Sequence, residues 1–152
     1  MDDNMQNSPV GKTVFGLDQN VAALLCYLPV MFIHLIVSIA VIAQDKENKI
    51  VRFHAFQSLF LTLFSTVLQI VLVVLFFVLW IGGGLAGFAI DSATGVPIVS
   101  IIVMIIWFLF VLLMAGLGLG TLVVIVIAMI KAYSLQKWKI PIVGKFAEKY
   151  AG

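Results

Sequence analysis

Three long stretches of this chain carry no Asp, Glu, Lys or Arg, and they restrict its fold more than any other feature. They cover residues 21–43, 53–90 and 92–130. About 20 apolar residues in a helix are enough to span the hydrocarbon core of a bilayer. Because backbone groups inside lipid must be hydrogen-bonded within the protein, the stretches predict transmembrane α-helices.

The composition also indicates a membrane protein. Of the 152 residues, 63% are hydrophobic and only 11% are charged, whereas soluble domains carry about 25% charged residues. A globule of this size keeps a large share of its residues at the surface, so lipid has to cover the excess apolar area. The formal charge of +2 is too small to indicate nucleic-acid binding.

The first stretch predicts a retained transmembrane helix rather than a cleaved signal peptide. At 1.5 Å per residue it is about 34 Å long, close to the hydrocarbon thickness of about 30 Å. The segment before it lacks the basic leader of a signal peptide, because its one lysine, Lys12, accompanies three aspartates. We therefore expect the first span at about residues 21–43.

The other two stretches each predict one further span. The second is expected at about residues 54–83, ending at three consecutive glycines that precede a turn-rich loop. The third, at about residues 97–130, is too long for one upright crossing and too short for two. A single long helix, tilted or flexed at its glycines, fits it best.

The distribution of basic residues predicts the orientation. They cluster after the first span (Lys46, Lys49, Arg52) and in the C-terminal tail (Lys131, Lys137, Lys139, Lys145, Lys149), and the loop between spans two and three has none. Because cytoplasmic segments are enriched in Lys and Arg, three spans with the N-terminus outside and the C-terminus cytoplasmic satisfy both clusters. Four spans are the alternative.

The predicted fold class is therefore all-α, an integral membrane helical bundle with a long third helix. Residues 1–17 form a polar N-terminal tail, 18–133 the transmembrane domain, and 134–152 an interfacial cytoplasmic tail. In this last region Tyr133 and Trp138 suit the headgroup layer.

A polar stripe follows each of the first two predicted spans. With 3.6 residues per turn, one face of the first carries Asn20, Tyr27, His34 and Ser38, and one face of the second carries His54, Ser58, Thr62, Ser65 and Gln69, with Gln57 adjacent. Because polar side chains avoid lipid, we expect the two stripes to face one another.

The stripes have two interpretations. In the first, their side chains bond across the helix interface, each contributing about 0.6 to 2 kcal/mol. In the second, His34 near mid-membrane and His54 near the cytoplasmic face pass a proton or line a solute site. No Asp or Glu lies in the spans beside these histidines. We favour the first interpretation and expect His34 to be a neutral, hydrogen-bonded packing residue.

Signatures of catalysis and metal binding are missing from the sequence. It contains no His-Glu-x-x-His, Walker or Gly-x-Ser-x-Gly motif, and no acid in the spans to orient a serine–histidine pair. Cys26, the only cysteine, is expected to be a packing residue. We therefore expect no enzymatic activity, no cofactor and no metal. The spacings Gly83-x-x-x-Gly87 and Gly116-x-x-x-Gly120 indicate close helix packing or self-association.

Three segments resemble a known family. They are residues 20–29 (NVAALLCYLP), 51–59 (VRFHAFQSL), and 132–133 with 140–148 (AY and IPIVGKFAE). They are similar to small bacterial membrane proteins grouped with the twenty-kilodalton Tic component of the chloroplast inner-envelope import translocon. The Arg-Phe-His-Ala-x-Gln block is the most specific part. The resemblance implies a bacterial cytoplasmic membrane and a role near a protein-conducting machine, and it implies no catalytic residues.

The sequence favours a non-enzymatic scaffold or accessory subunit that acts through helix–helix contacts. Its partners are expected to be the lipid bilayer and a protein partner or a second copy, with no nucleic acid. The expected interaction patch is Arg52, His54 and Gln57 at the cytoplasmic edge, and a lipid-phosphate contact is the alternative for the first two. The competing hypothesis is a small oligomeric transporter or channel for protons or a small solute, lined by Tyr27, His34, Thr62 and Gln69.

Overall fold

The computed structural model describes residues 11–30 and 32–151, and this part of the chain is all-α. Its elements are α1 (Gln19–Leu25), α2 (Ile33–Gln44), α3 (Lys49–Thr94), α4 (Ile98–Tyr133) and α5 (Val143–Ala151). The predicted class of an integral membrane helical bundle is confirmed. Most of the predicted N-terminal tail, residues 1–10, lies outside the described residues.

The first apolar stretch forms two short helices, which corrects the single helix predicted over residues 21–43. α1 ends at Leu25, α2 begins at Ile33, and Phe32 between them has a φ of 64°. Pro29 lies in the gap, where it has no N–H to continue a helix and restricts the residue before it. At about 10 and 18 Å, neither helix spans a hydrocarbon core of about 30 Å.

The two other apolar stretches form helices that are long and apolar enough to cross a membrane. α3 has 46 residues and α4 has 36, which correspond to about 69 and 54 Å. The long third helix is thus confirmed, and it continues through its glycines. α3 extends beyond the predicted end at residue 83, because a helix in lipid has no alternative partners for its backbone groups even at glycine.

The structure divides into two compact units. The first contains the described residues of Met1–Leu63 and Val123–Gly152, and the second is Phe64–Leu122. We refer to them as the multi-helix unit and the hairpin unit. α3 and α4 each contribute to both.

Small side chains form the core of the multi-helix unit. They include Ala22, Ala23 and Cys26 within and directly after α1, Val51 and Ala55 on α3, and Ala128 and Ala132 on α4. Small residues let membrane helices approach closely, so that van der Waals contacts and interhelical hydrogen bonds become available. The short α1 and α2 are packed into the protein in this way.

The hairpin unit is closed by a turn that Asp91 stabilises. Its carboxylate accepts hydrogen bonds from the backbone N–H groups of Val99 (3.1 Å) and Ser100 (2.9 Å) at the start of α4, as a capping residue does. A Cβ on Gly87 would lie 3.2 Å from Val99, and one on Gly83 would lie 3.4 Å from Val103. The first glycine pair therefore serves close packing of α3 on α4.

Hydrogen bonds join the start of α1 and the segment before it to the loop after α2. The Gln19 side chain donates to Asn48, whose own amide donates to both carboxylate oxygens of the buried Asp45 at 2.7 Å. Lys12 forms an antiparallel bridge with Asp18, and its carbonyl accepts from Asn48 at 3.4 Å. The two ends of the first apolar stretch therefore lie close together.

We expect residues 12 and 46 to lie on the same side of the membrane, and residue 93 on the other. In a Cys26→Ala background, single cysteines would replace Lys12, Lys46 or Ala93 and be labelled with a membrane-impermeant thiol reagent. Because α1 and α2 return to their starting point, positions 12 and 46 should react together. Labelling of positions 12 and 93 from one side would instead restore the orientation predicted from the sequence, with three full spans.

Candidate functional site

Two pairs of polar side chains from the predicted stripes meet inside the multi-helix unit. The hydroxyl of Tyr27 and Nδ1 of His54 are hydrogen-bonded at 3.3 Å, and their rings pack edge-on at 5.7 Å. Deeper along α3, Oγ1 of Thr62 and Nε2 of His34 are hydrogen-bonded at 3.3 Å. These parts of the two stripes therefore face one another.

Two serines meet at the carbonyl of Cys26, where α1 ends. The Ser58 hydroxyl donates to this carbonyl, and the Ser38 hydroxyl lies 3.5 Å from it. A carbonyl at a helix end has no partner within the helix, and leaving it unbonded inside a membrane protein is costly. Serines on α2 and α3 thus satisfy the backbone at the break.

Sequence reasoning missed this break, although a signal for it is present. Pro29 stands near the middle of the part of the stretch that joins α1 to α2. Prolines do occur within transmembrane helices, where neighbouring side chains satisfy the freed backbone groups. The proline alone therefore does not distinguish a kinked span from two short helices.

Three residues of the Arg-Phe-His-Ala-x-Gln block, Phe53, His54 and Gln57, contact the C-terminal segment. The Gln57 amide donates to the carbonyl of Trp138 at 3.1 Å, and the backbone of Gln136 lies beside the His54 ring. Phe53 packs against Ala147 and Ala151 of α5. Every one of these contacts joins the start of α3 to residues after α4.

The structure places the predicted interaction patch largely inside the protein. His54 is 1% exposed and Gln57 is 0% exposed. Arg52 is half-buried; its guanidinium lies 3.4 Å from the Lys46 carbonyl and 6.0 Å from the centre of the Phe56 ring. Of the three predicted residues, Arg52 alone keeps substantial surface.

The other stripe residues lie in different surroundings. The Asn20 side chain accepts a hydrogen bond from the N–H of Val21 at the start of α1, at 2.8 Å. Ser65 and Gln69 are half-buried residues of α3 in the hairpin unit.

A small cavity lies beside the His34–Thr62 pair. Its volume is about 40 Å³, and it is lined by Tyr27, Pro29, His34, Ser58, Leu61, Thr62 and Ile125. Nδ1 of His34 is buried and has no hydrogen-bond partner among the described residues. A water molecule occupies about 30 Å³ in the liquid, so the cavity has room for about one.

A larger groove of about 410 Å³ lies in the hairpin unit. Its lining is mostly apolar and contains no ionisable side chain: Trp80, Gly83, Gly84, Gly87, Ser100, Val103, Met104 and Trp107. Over residues 11–30 and 32–151, no three His, Cys, Asp or Glu side chains are grouped so that they could hold a metal ion.

Comparison with known proteins gives matches over most of the chain. The family model MamF/MmsF, described as the magnetosome magnetite crystal formation protein family, matches residues 18–147. The UPF0132 membrane protein MJ1443 of Methanocaldococcus jannaschii is 31% identical over 142 residues, which cover 93% of this chain and 96% of that protein. The UPF0132 membrane protein MJ1527 of the same organism is 25% identical over 135 residues, covering 89% and 71%. No solved structure matches.

Replacing Ser58 by alanine should destabilise the multi-helix unit by about 1–2 kcal/mol, because the Cys26 carbonyl loses a donor that water cannot replace. The measurement is reversible unfolding in mixed detergent micelles. Ser92→Ala, at an exposed position near the end of α3, is the matched control and should change stability by less than about 0.5 kcal/mol. Equal stability of the two variants would contradict the role assigned to Ser58.

Proposed function

The chain belongs to the magnetosome magnetite crystal formation protein family, and from that premise we propose that it is a membrane scaffold or accessory subunit without enzymatic activity. It acts through helix–helix and partner contacts. The observation that carries the proposal is that polar side chains in the multi-helix unit bond within the chain. Tyr27, His54, Gln57 and Ser58 are bonded to other groups of the same chain and buried among them.

Burial separates these side chains from any substrate. Tyr27 is 3% exposed, and its hydrogen-bond partner His54 is 1% exposed. A general acid or base must come within hydrogen-bond reach of the group it serves, at about 2.6–3.2 Å or through one water. Side chains that are covered by α1, α3 and the segment after α4 do not offer that approach.

The same hydrogen bonds give the unit a fixed geometry. Apolar side chains gain little by leaving lipid for a helix interface, so packing and interhelical hydrogen bonds hold membrane helices together. Each bond is worth about 0.6 to 2 kcal/mol, and several act on the same short helices. A rigid multi-helix unit of this kind suits a protein that presents surfaces to partners.

The hairpin unit supplies an apolar surface for such contacts. Phe88 is 74% exposed and Leu119 is 65% exposed. Apart from its chain neighbours and its own helix backbone, a Cβ built at Gly116, Gly118 or Gly120 would meet no described heavy atom within 4 Å. Exposed apolar side chains on a membrane helix contact lipid or another helix, and glycines favour close helix contacts.

The process that this scaffold serves is part of the proposal. The family description names the formation of magnetite crystals, and a subunit that organises membrane partners fits that description without a catalytic residue of its own. A role near protein translocation, together with a bacterial cytoplasmic membrane, follows only from the resemblance to the Tic component. Neither the matched family nor the two relatives bear that name, so both statements stay predictions.

Photocrosslinking in native membranes tests the scaffold. A crosslinking amino acid at position 119 should yield discrete products with one or a few proteins, because this position is exposed. Position 54 is the control and should yield only intrachain products, since its side chain is buried by the chain itself. A chain that gives no intermolecular product from position 119 and always purifies alone would overturn the proposal.

The cavity beside His34 favours a second candidate, a proton pathway. Its volume of about 40 Å³ has room for about one water, and Tyr27, His34, Ser58 and Thr62 contribute polar groups to its lining, which restricts the transporter hypothesis to protons. The candidate predicts proton flux in proteoliposomes above that of empty liposomes. His34→Gln should lower this flux at least 10-fold, because a glutamine side chain cannot accept and release a proton as an imidazole does. Flux equal to that of empty liposomes would reject this candidate and leave the scaffold standing.

A further inference from the structure

α5 buries one face against the start of α3. Its buried residues are Val143, Gly144, Ala147 and Ala151. Gly144 lets α5 lie close to the segment before it, because a Cβ there would lie 2.8 Å from Cα of Lys139. The helix is thereby held close to the preceding segment and to the first turns of α3.

Beside the buried face, α5 carries an aromatic stripe. Phe146 and Tyr150 lie one turn apart and remain 53% and 54% exposed. Their rings also contact α3: Phe146 lies 6.2 Å from Phe60, and Tyr150 lies 6.1 Å from Phe56. The stripe therefore has a fixed position against α3 and an open side.

Two lysines lie next to this stripe, opposite the buried face. At 100° per residue, Lys145 and Lys149 each project about 160° from Ala147. Nζ of Lys149 lies 5.9 Å from the centre of the Tyr150 ring. The acidic residue of α5, Glu148, forms a salt bridge with Lys139 at 2.8 Å.

We propose that α5 is an interfacial helix that binds the anionic headgroups of the leaflet beside it. Phe146 and Tyr150 enter the headgroup region, and Lys145 and Lys149 contact lipid phosphates. This inference is independent of the scaffold function, because it concerns a lipid contact and not a protein partner.

Charge and composition favour a lipid leaflet over a protein as the occupant. Lysine is depleted at protein–protein interfaces, whereas basic residues beside aromatic ones are typical of helices that lie in the headgroup layer. α5 also packs along α3 near its start at Lys49, where a basic loop leads into a helix long enough to cross the membrane. Both features favour a position of the lysines at the level of phosphates.

Quenching of Trp138 by brominated lipid tests the proposal in the full chain. Trp80→Phe and Trp107→Phe would leave Trp138 as the single tryptophan, one residue before Lys139, which packs against Gly144. The protein in neutral detergent would be titrated with brominated phosphatidylglycerol or with brominated phosphatidylcholine of the same acyl chains. We expect phosphatidylglycerol to quench at a concentration at least 10-fold lower.

Variants of α5 assign the effect to its lysines. Lys145→Gln combined with Lys149→Gln should weaken phosphatidylglycerol binding roughly 25-fold, since each lysine near an anionic surface contributes about fivefold. The double variant Lys145→Arg with Lys149→Arg should bind as the parent does. Lys12→Gln, a control that removes one charge elsewhere, should also bind as the parent does. Gly144→Ala keeps both lysines but displaces α5, and it should also weaken binding.

Four results would overturn the proposal. Equal quenching by the two lipids would remove the preference for anionic headgroups. Unchanged binding by the double glutamine variant would remove the lysines from the contact. Full competition by inorganic phosphate at equal concentration would indicate a free-anion site, and photocrosslinking from position 149 to a protein alone would indicate a protein partner.

Discussion

The carbonyl of Cys26 is the point on which the multi-helix unit depends. A helix that ends inside a membrane protein leaves carbonyl groups that lipid cannot hydrogen-bond, so the chain must provide donors. Ser38 and Ser58 provide them from α2 and α3. Because the same backbone atom is shared by three segments, the break in the first apolar stretch also fixes how those segments pack.

The block around residues 52–57 extends this arrangement to the C-terminal segment. His54 bonds with Tyr27 after α1, Gln57 bonds with the Trp138 carbonyl, and Phe53 packs on α5. Buried polar groups that bond to one another make a packing arrangement specific. A short sequence motif of this kind therefore encodes the joining of chain segments that are far apart in sequence.

Much of the fold follows from the sequence, because hydrocarbon imposes simple rules. The all-α class, the continuous α4 and the contacts between the polar stripes are consequences of hydropathy and of the 3.6-residue period. The spacing of Tyr27 and His34 fits one face of a continuous helix, although a turn separates them in the structure. Periodicity therefore gives no indication of the break around Pro29. The end of α3 could not be predicted either, because glycines weaken a helix in water far more than in lipid.

The sequence predicts which polar residues form the candidate site better than it predicts whether those residues are buried or exposed. Periodicity identifies His54 and Gln57 as polar residues near the start of a helix, and charge placement puts them near the membrane edge. Whether such residues are exposed depends on segments that return from far along the chain, here residues 136–138 and α5. No local pattern contains that information, which is why residues expected at the surface are buried in the structure.

Once His54 and Gln57 are buried, the basic side chains near the start of α3 that retain surface include those of Arg52 and of α5. α5 is held in place by small residues on its inner face, so its aromatic and lysine faces have a defined direction. The residues that build the interior of the multi-helix unit thereby also determine which side chains lie at its surface.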